Sequence, residues 1–233
     1  MITLRFDRVN DLNKKALSGL LRLVIILAGL LFTVAWTIRY WQAWVFLSVF
    51  FASVLAITLY LTKNDPSLLA RRIRAGPHAE KEPAQKVIQL LGAIAFVGVI
   101  VFPAVDHRLA WSAVSPYVSL AGDVLVALGL FLIFLVFKEN TYTSAVIEVD
   151  VKQTVVATGP YRLVRHPMYA GALVMLLGVP LALGSLWGLV TIIPITFVIV
   201  WRLLDEEKFL AGNLPGYSEY RSRVKHRLVP FIW

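Results

Sequence analysis

The chain has 233 residues, 58% of them hydrophobic, and a mean hydropathy of +0.73. Soluble domains are about 45–50% apolar, so this is the composition of a membrane protein. Cysteine is absent, which excludes disulfides, thiolate metal sites and a cysteine nucleophile; the formal charge of +9 sits in clusters between apolar runs, so it calls for no nucleic-acid partner.

The chain opens on a polar stretch of mixed charge, MITLRFDRVNDLNKK. No small-residue cleavage site follows the first apolar run, so Ala16–Ile38 reads as a retained membrane helix, not a signal peptide. Three more runs of spanning length follow, Trp41–Thr62, Val87–Val105 and Tyr117–Phe137. Each meets the roughly 20 apolar residues that cross about 30 Å of hydrocarbon. Met168–Leu183 and Trp187–Trp201 are shorter and are joined only by Gly184-Ser185-Leu186. They predict one tight helical hairpin, either crossing a thinned region or stopping partway. The tail Leu203–Lys225 is amphipathic, with a break at Pro215-Gly216, and is expected on the membrane surface or folded back over the bundle.

Of the 23 lysines and arginines, only Arg22, Arg39 and Arg108 fall outside four segments. Those segments are the N-terminus (Arg5, Arg8, Lys14, Lys15), the loop 63–86 (with Lys81), the loop 138–167, and the chain from Arg202 onward. All four share one face of a five- or six-segment bundle, so the positive-inside rule predicts that both termini are cytoplasmic. Trp36, Trp41, Trp44 and Trp111 mark the opposite interface. Asp123 lies six residues inside the fourth run, and its side chain is expected to reach that outer interface. His78, His107 and His226 show no metal-ligand spacing, and no metal site is expected.

Two polar clusters stand out. The first is GPYRLVRHPMYAG, Gly159 to Gly171, in which Tyr161, Arg165, His166 and Tyr169 surround a predicted helix start at His166 or Pro167. The positive end of that helix is a ready site for a carboxylate or phosphate. The second is Arg202, Asp205, Glu206 and Glu207, just beyond the last apolar run and on the same side. A hairpin would bring the two together. S-adenosylmethionine suits such a pair, through its ribose diol, its carboxylate and its sulfonium. NADPH also suits a basic, helix-capped pocket, so these residues alone leave the ligand open.

GPYRLVRHPMYAG, followed by DEEKFL and GYSEYRSRVKHRLVPFIW, resembles the isoprenylcysteine carboxyl methyltransferase family and its phospholipid N-methyltransferase relatives. The resemblance covers Lys138 to Trp233. It implies an integral membrane enzyme that uses S-adenosyl-L-methionine. By that resemblance Gln153, Thr154, Val155 and Val156 form a cofactor-contacting segment, although Gln153 stands where eukaryotic members have histidine. Tyr161, His166, Pro167 and Tyr169 would line the methionine and sulfonium end. Glu206, with Glu207 beside it, would hold the nucleoside, and Arg202 matches the substrate-contacting, catalytic arginine.

The expectation is therefore an all-α polytopic membrane bundle of five or six segments with a cytoplasmic C-terminal helix. Residues 1–137 would form a substrate-side region and 138–233 the catalytic and cofactor-binding region. The substrate would be a lipophilic small molecule or lipidated acceptor reached from the bilayer: an isoprenylcysteine-like carboxylate, or alternatively a phospholipid amine. A prokaryotic inner membrane is expected rather than the endoplasmic reticulum. An NADPH-dependent, sterol-type membrane reductase and a non-catalytic transporter or scaffold are the competing readings, and the sequence does not address oligomeric state.

Overall fold

A computed structural model describes residues 2–80 and 82–233, with side chains from Asp11 onward except that of Pro77. The basic side chains of Arg5, Arg8 and Lys81, counted toward topology, lie outside the described residues. Among the described residues all regular structure is helical. The principal helices are α1 (Ile2–Ala35), α2 (Trp41–Asn64), α3 (Pro66–Ile73), α4 (Pro83–Leu109), α5 (Pro116–Glu139), α6 (Pro167–Ala182), α7 (Ile192–Asn213) and α8 (Tyr217–Arg223). Among the described residues five stretches are long and apolar enough to cross a membrane: Asp11–Ala35, Trp41–Asn64, Pro83–Leu109, Pro116–Glu139 and Trp187–Asn213. Leu31, Phe46, Val99, Val126 and Val179 meet in the centre of the bundle. Ile25, Ile94, Phe131 and Phe197 are exposed on its outside, where a bilayer would cover them.

The ends of the bundle differ. At one end Tyr40 is fully buried, stacks on His107 and donates a 2.6 Å hydrogen bond to the carbonyl of Leu183. Asp106 accepts from the backbone N–H and hydroxyl of Ser112 and from the Ser185 hydroxyl. The end of α6 is thus pinned to the loops that follow α1 and α4. Sixteen residues give α6 roughly 24 Å at about 1.5 Å per residue, and that length joins the two ends. The exposed Trp36, Trp41, Trp44 and Trp111 belong to this end, where Arg108 lies over the Trp36 ring.

Three features depart from the sequence expectation. The short connection between α6 and α7 is present, but α6 packs most extensively against α5. The cause is a glycine seam with a seven-residue period, Gly122 and Gly129 facing Gly171 and Gly178. A Cβ on Gly178 would stand 2.6 Å from the Gly122 carbonyl, and one on Gly129 would stand 2.6 Å from the Gly171 carbonyl. Second, the last apolar helix does not stop at Trp201; α7 runs to Asn213 and carries the acidic cluster on its own faces. The predicted break then falls at 214–216, where Gly216 has φ +82° before α8 begins. Third, Asp123 does not reach the outer interface. It is 4% exposed, because α5 turns Ser119, Asp123, Val126 and Leu130 inward together at helical spacing.

At the basic end, the loop 63–86 contains a helix of its own. Asp65 caps α3 by accepting from the Leu68 N–H at 3.0 Å, and Pro66 occupies the first turn. This short helix aims Arg71 and Arg72 at the long segment that follows α5.

Candidate active site

Residues 140–158 form no helix or strand, an unusual length of irregular chain inside a compact bundle. Contacts from elsewhere fix the path of this segment. Arg71 donates to the Thr141 carbonyl at 2.9 Å, and Arg72 to the Ser144 carbonyl at 3.0 Å. Gln89 and Arg202 both donate to the Ala145 carbonyl, and Glu80 accepts the Ile147 N–H. Five of these partners stand before or beyond the segment by dozens of positions, so hydrogen bonds cross the 137/138 boundary freely.

The next turn, Gly159–Arg162, leads into α6, which starts at Pro167. Gly159 adopts φ +53°, and a Cβ there would press on the Glu139 carboxylate. The N–H groups of Arg165 and His166 donate to the carbonyls of His226 and Arg227, each at 2.9 Å. The chain beyond α8 therefore returns to close the start of α6.

Between this closure and the irregular segment lies a cavity. Gln153, Thr154, Val155, Val156, Tyr161, His166, Pro167, Tyr169, Arg202 and Glu206, all singled out from the sequence, line it. Arg202, Glu206 and Leu210 present one face of α7 to it at four-residue spacing. Tyr169 sits at the hub: its hydroxyl donates to Glu206 Oε2 at 2.7 Å and accepts from Arg202 Nε at 3.0 Å. Glu206 Oε1 has no hydrogen bond from the described residues.

Glu207 is absent from the lining. It lies one residue further round the helix, 3% exposed, and accepts from Arg165 Nε at 2.6 Å and Arg227 Nε at 3.2 Å, with His166 Nε2 3.3 Å away. Arg165 Nη1 donates to the carbonyls of Val224 and Lys225. Both residues thus hold the walls together. Arg162 is exposed.

Arg202 is itself heavily engaged. It donates to Glu80 at 3.0 Å, Gln85 at 2.9 Å, the Ala145 carbonyl and Tyr169. A guanidinium has five N–H donors, so one, on Nη1, is left over.

Asn140, Leu214, Tyr217 and Tyr220 also line the cavity, as do Arg165, Glu148 and residues 142–147 of the irregular segment except Ala145. Asn140 donates to the Tyr161 hydroxyl at 3.0 Å, and Tyr220 to the Tyr161 carbonyl at 2.8 Å. Burial pushes the Tyr161 phenol above its ordinary range against the pull of hydrogen bonds from Asn140 and Thr143. Burial, then the negative charges of Glu207 and Glu206, push the Tyr217 phenol up as well. These phenols are neutral donors. The Tyr217 hydroxyl is buried and has no partner among the described residues. The sequence carried a signal for the two tyrosines of α8, since both lie in the matching stretch GYSEYR. Asn140 carried none.

These groups fit S-adenosylmethionine. An orphaned phenol and a half-used carboxylate face one cavity, beside the first turn of a helix. Tyrosine rings accommodate a sulfonium, and Val155, Val156, Leu210 and Leu214 offer an apolar wall.

Comparison with known proteins agrees in region. Residues 118–214 match the family model for phospholipid methyltransferases. The match begins inside α5, so it takes in the glycine seam as well as both clusters. Over 103 residues the chain is 28% identical to the cobalt-zinc-cadmium resistance protein CzcN of Cupriavidus metallidurans. That alignment covers 43% of this chain and 47% of that protein, so the chain spans about half the length of the curated relative it matches. Residues 118–214 are thus similar to phospholipid methyltransferases, in a chain that has five stretches of membrane-crossing length among its described residues.

Proposed function

We propose that the protein is an integral membrane methyltransferase that uses S-adenosylmethionine to methylate a lipophilic acceptor. The observation that carries this reading is the placement of the unpartnered Tyr217 phenol and the half-free Glu206 carboxylate on one cavity, within and beside the matched region. S-adenosylmethionine, when bound, supplies a methyl group on positively charged sulfur.

Each wall then has a task. Glu206 Oε1 accepts from ribose hydroxyls, and Val155, Val156, Leu210 and Leu214 cover the base. Gln153 and Thr154 add polar contacts from the irregular segment. The start of α6, at His166 and Pro167, faces the carboxylate end. Tyr161 and Tyr169 present ring faces to the sulfonium. Arg202 orients the acceptor through its one remaining Nη1–H. Glu207 supports the site from behind, through Arg165 and His166.

The cofactor enters from the basic end, which is cytoplasmic by charge, and the acceptor enters sideways from the bilayer. An acidic acceptor such as an isoprenylcysteine-like carboxylate attacks as it stands. A phospholipid amine would first have to release its proton. Residues before α5 form the acceptor side, and the host membrane is a prokaryotic inner membrane.

Incubating the purified protein with methyl-labelled S-adenosylmethionine and a total membrane lipid extract tests the reading. Label should pass into the organic phase and should do so poorly with Glu206→Gln. Oxidation of NADPH by the same extract, without label transfer, would replace the proposal with a reductase.

A further inference from the structure

Glu80 lies in the loop before α4, outside the matched region, in sequence otherwise rich in lysine and arginine. It is nevertheless 4% exposed. One carboxylate oxygen accepts from Arg202 Nη2 at 3.0 Å and Gln89 Nε2 at 2.6 Å; the other accepts the Ile147 N–H at 3.2 Å. Gln85, fully buried, seats the other arm of the same guanidinium and donates to Asp205. A buried carboxylate is costly unless a cation and full hydrogen bonding compensate it. Glu80 meets both conditions, and in doing so it places its charge behind the cavity wall.

Among the described residues that line the cavity, the cations Arg165 and Arg202 balance the anions Glu148 and Glu206. Glu80 adds a negative charge directly behind the Arg202 guanidinium, paired with it at 3.0 Å. Without Glu80, Arg202 would face the cavity with its ion-pair partner gone, and a cationic ligand would meet more positive charge.

We propose that Glu80 is a specificity-determining residue that tunes the cavity to a positively charged ligand, favouring S-adenosylmethionine over the neutral thioether S-adenosylhomocysteine. This rests on the methyltransferase reading. It gives the fold a means to discharge product: the methyl group leaves with the positive charge of the sulfur, and the negative charge of Glu80 then loses that complement.

The test is calorimetric binding of both compounds to detergent-purified protein. Wild type should prefer S-adenosylmethionine. Glu80→Gln keeps the hydrogen-bonding shape and removes the charge; it should lower that preference about tenfold. Arg202→Gln should raise it, because the wall becomes more negative, and the double variant should return it toward wild type. A purely structural Glu80 would weaken both compounds by the same factor and leave their ratio fixed, which overturns the proposal and spares the methyltransferase reading. If Glu80→Gln does not fold, an unchanged ratio in Arg202→Gln overturns it equally. Wild type that binds neither compound would remove the methyltransferase reading and this inference together.

Discussion

Arg165 and Glu207 form a 2.6 Å ion pair with both side chains about 5% exposed or less, at the junction of α6, α7 and the returning tail. Glu207 also serves Arg227 and His166. Removing one member of such a cluster leaves buried charge without a partner. Glu207→Gln is therefore expected to destabilise the protein by about 3 kcal/mol. A lowered midpoint in a detergent thermal melt would report it, and an unchanged midpoint would contradict it.

Its neighbour should behave oppositely. Glu206 has Tyr169 as its hydrogen-bond partner and faces the cavity. Glu206→Gln should leave the melt nearly unchanged while weakening S-adenosylmethionine binding by roughly ten- to a hundredfold, the usual worth of a hydrogen bond to a charged group. Loss of stability without loss of binding would exchange the roles given to the two glutamates.

The seam between α5 and α6 sets where the start of α6 stands. Gly178→Ala would drive a methyl into the Gly122 carbonyl and the Leu125 Cβ. Overpacking of this kind costs about 1–3 kcal/mol. Folded yield and thermal midpoint should fall, and cofactor affinity with them. Gly98→Ala, where no atom lies within 4 Å of the added carbon, is the control and should be tolerated.

The arginines of α3 fasten the irregular segment. Replacing Arg71 and Arg72 together by glutamine removes bonds to Thr141, Ser144 and Asp150. Amide hydrogen exchange should accelerate across residues 140–156, and ligand affinity should fall, while the membrane helices keep their protection. Equal acceleration throughout would mean that the variant loosens the whole fold.

Much of this arrangement was legible in the residues, and the omissions have physical causes. Hydropathy fixed the membrane helices because length and apolarity are what a bilayer demands. The start of α6 followed from Pro167. Glu206 and Glu207 could have been separated too: a continuous helix through Trp201 puts Glu206 four residues from Arg202 on one face and Glu207 about 100° away. Treating the sequence after Trp201 as a surface tail hid that periodicity. Asp123 was read by its depth along α5, while its place around the helix, on the face with Ser119 and Val126, governs its burial. The seven-residue spacing of Gly122, Gly129, Gly171 and Gly178 was visible, but its meaning depends on two helices meeting. Glu80 offered no local signal; its partners are more than 60 positions away, apart from Gln89.

The central claim is that this cavity holds S-adenosylmethionine, and calorimetry on the folded, detergent-purified wild-type protein tests it most directly, with NADPH titrated in parallel. The account predicts saturable, micromolar binding of S-adenosylmethionine and none of NADPH. Binding of NADPH alone, or of neither compound, would contradict it.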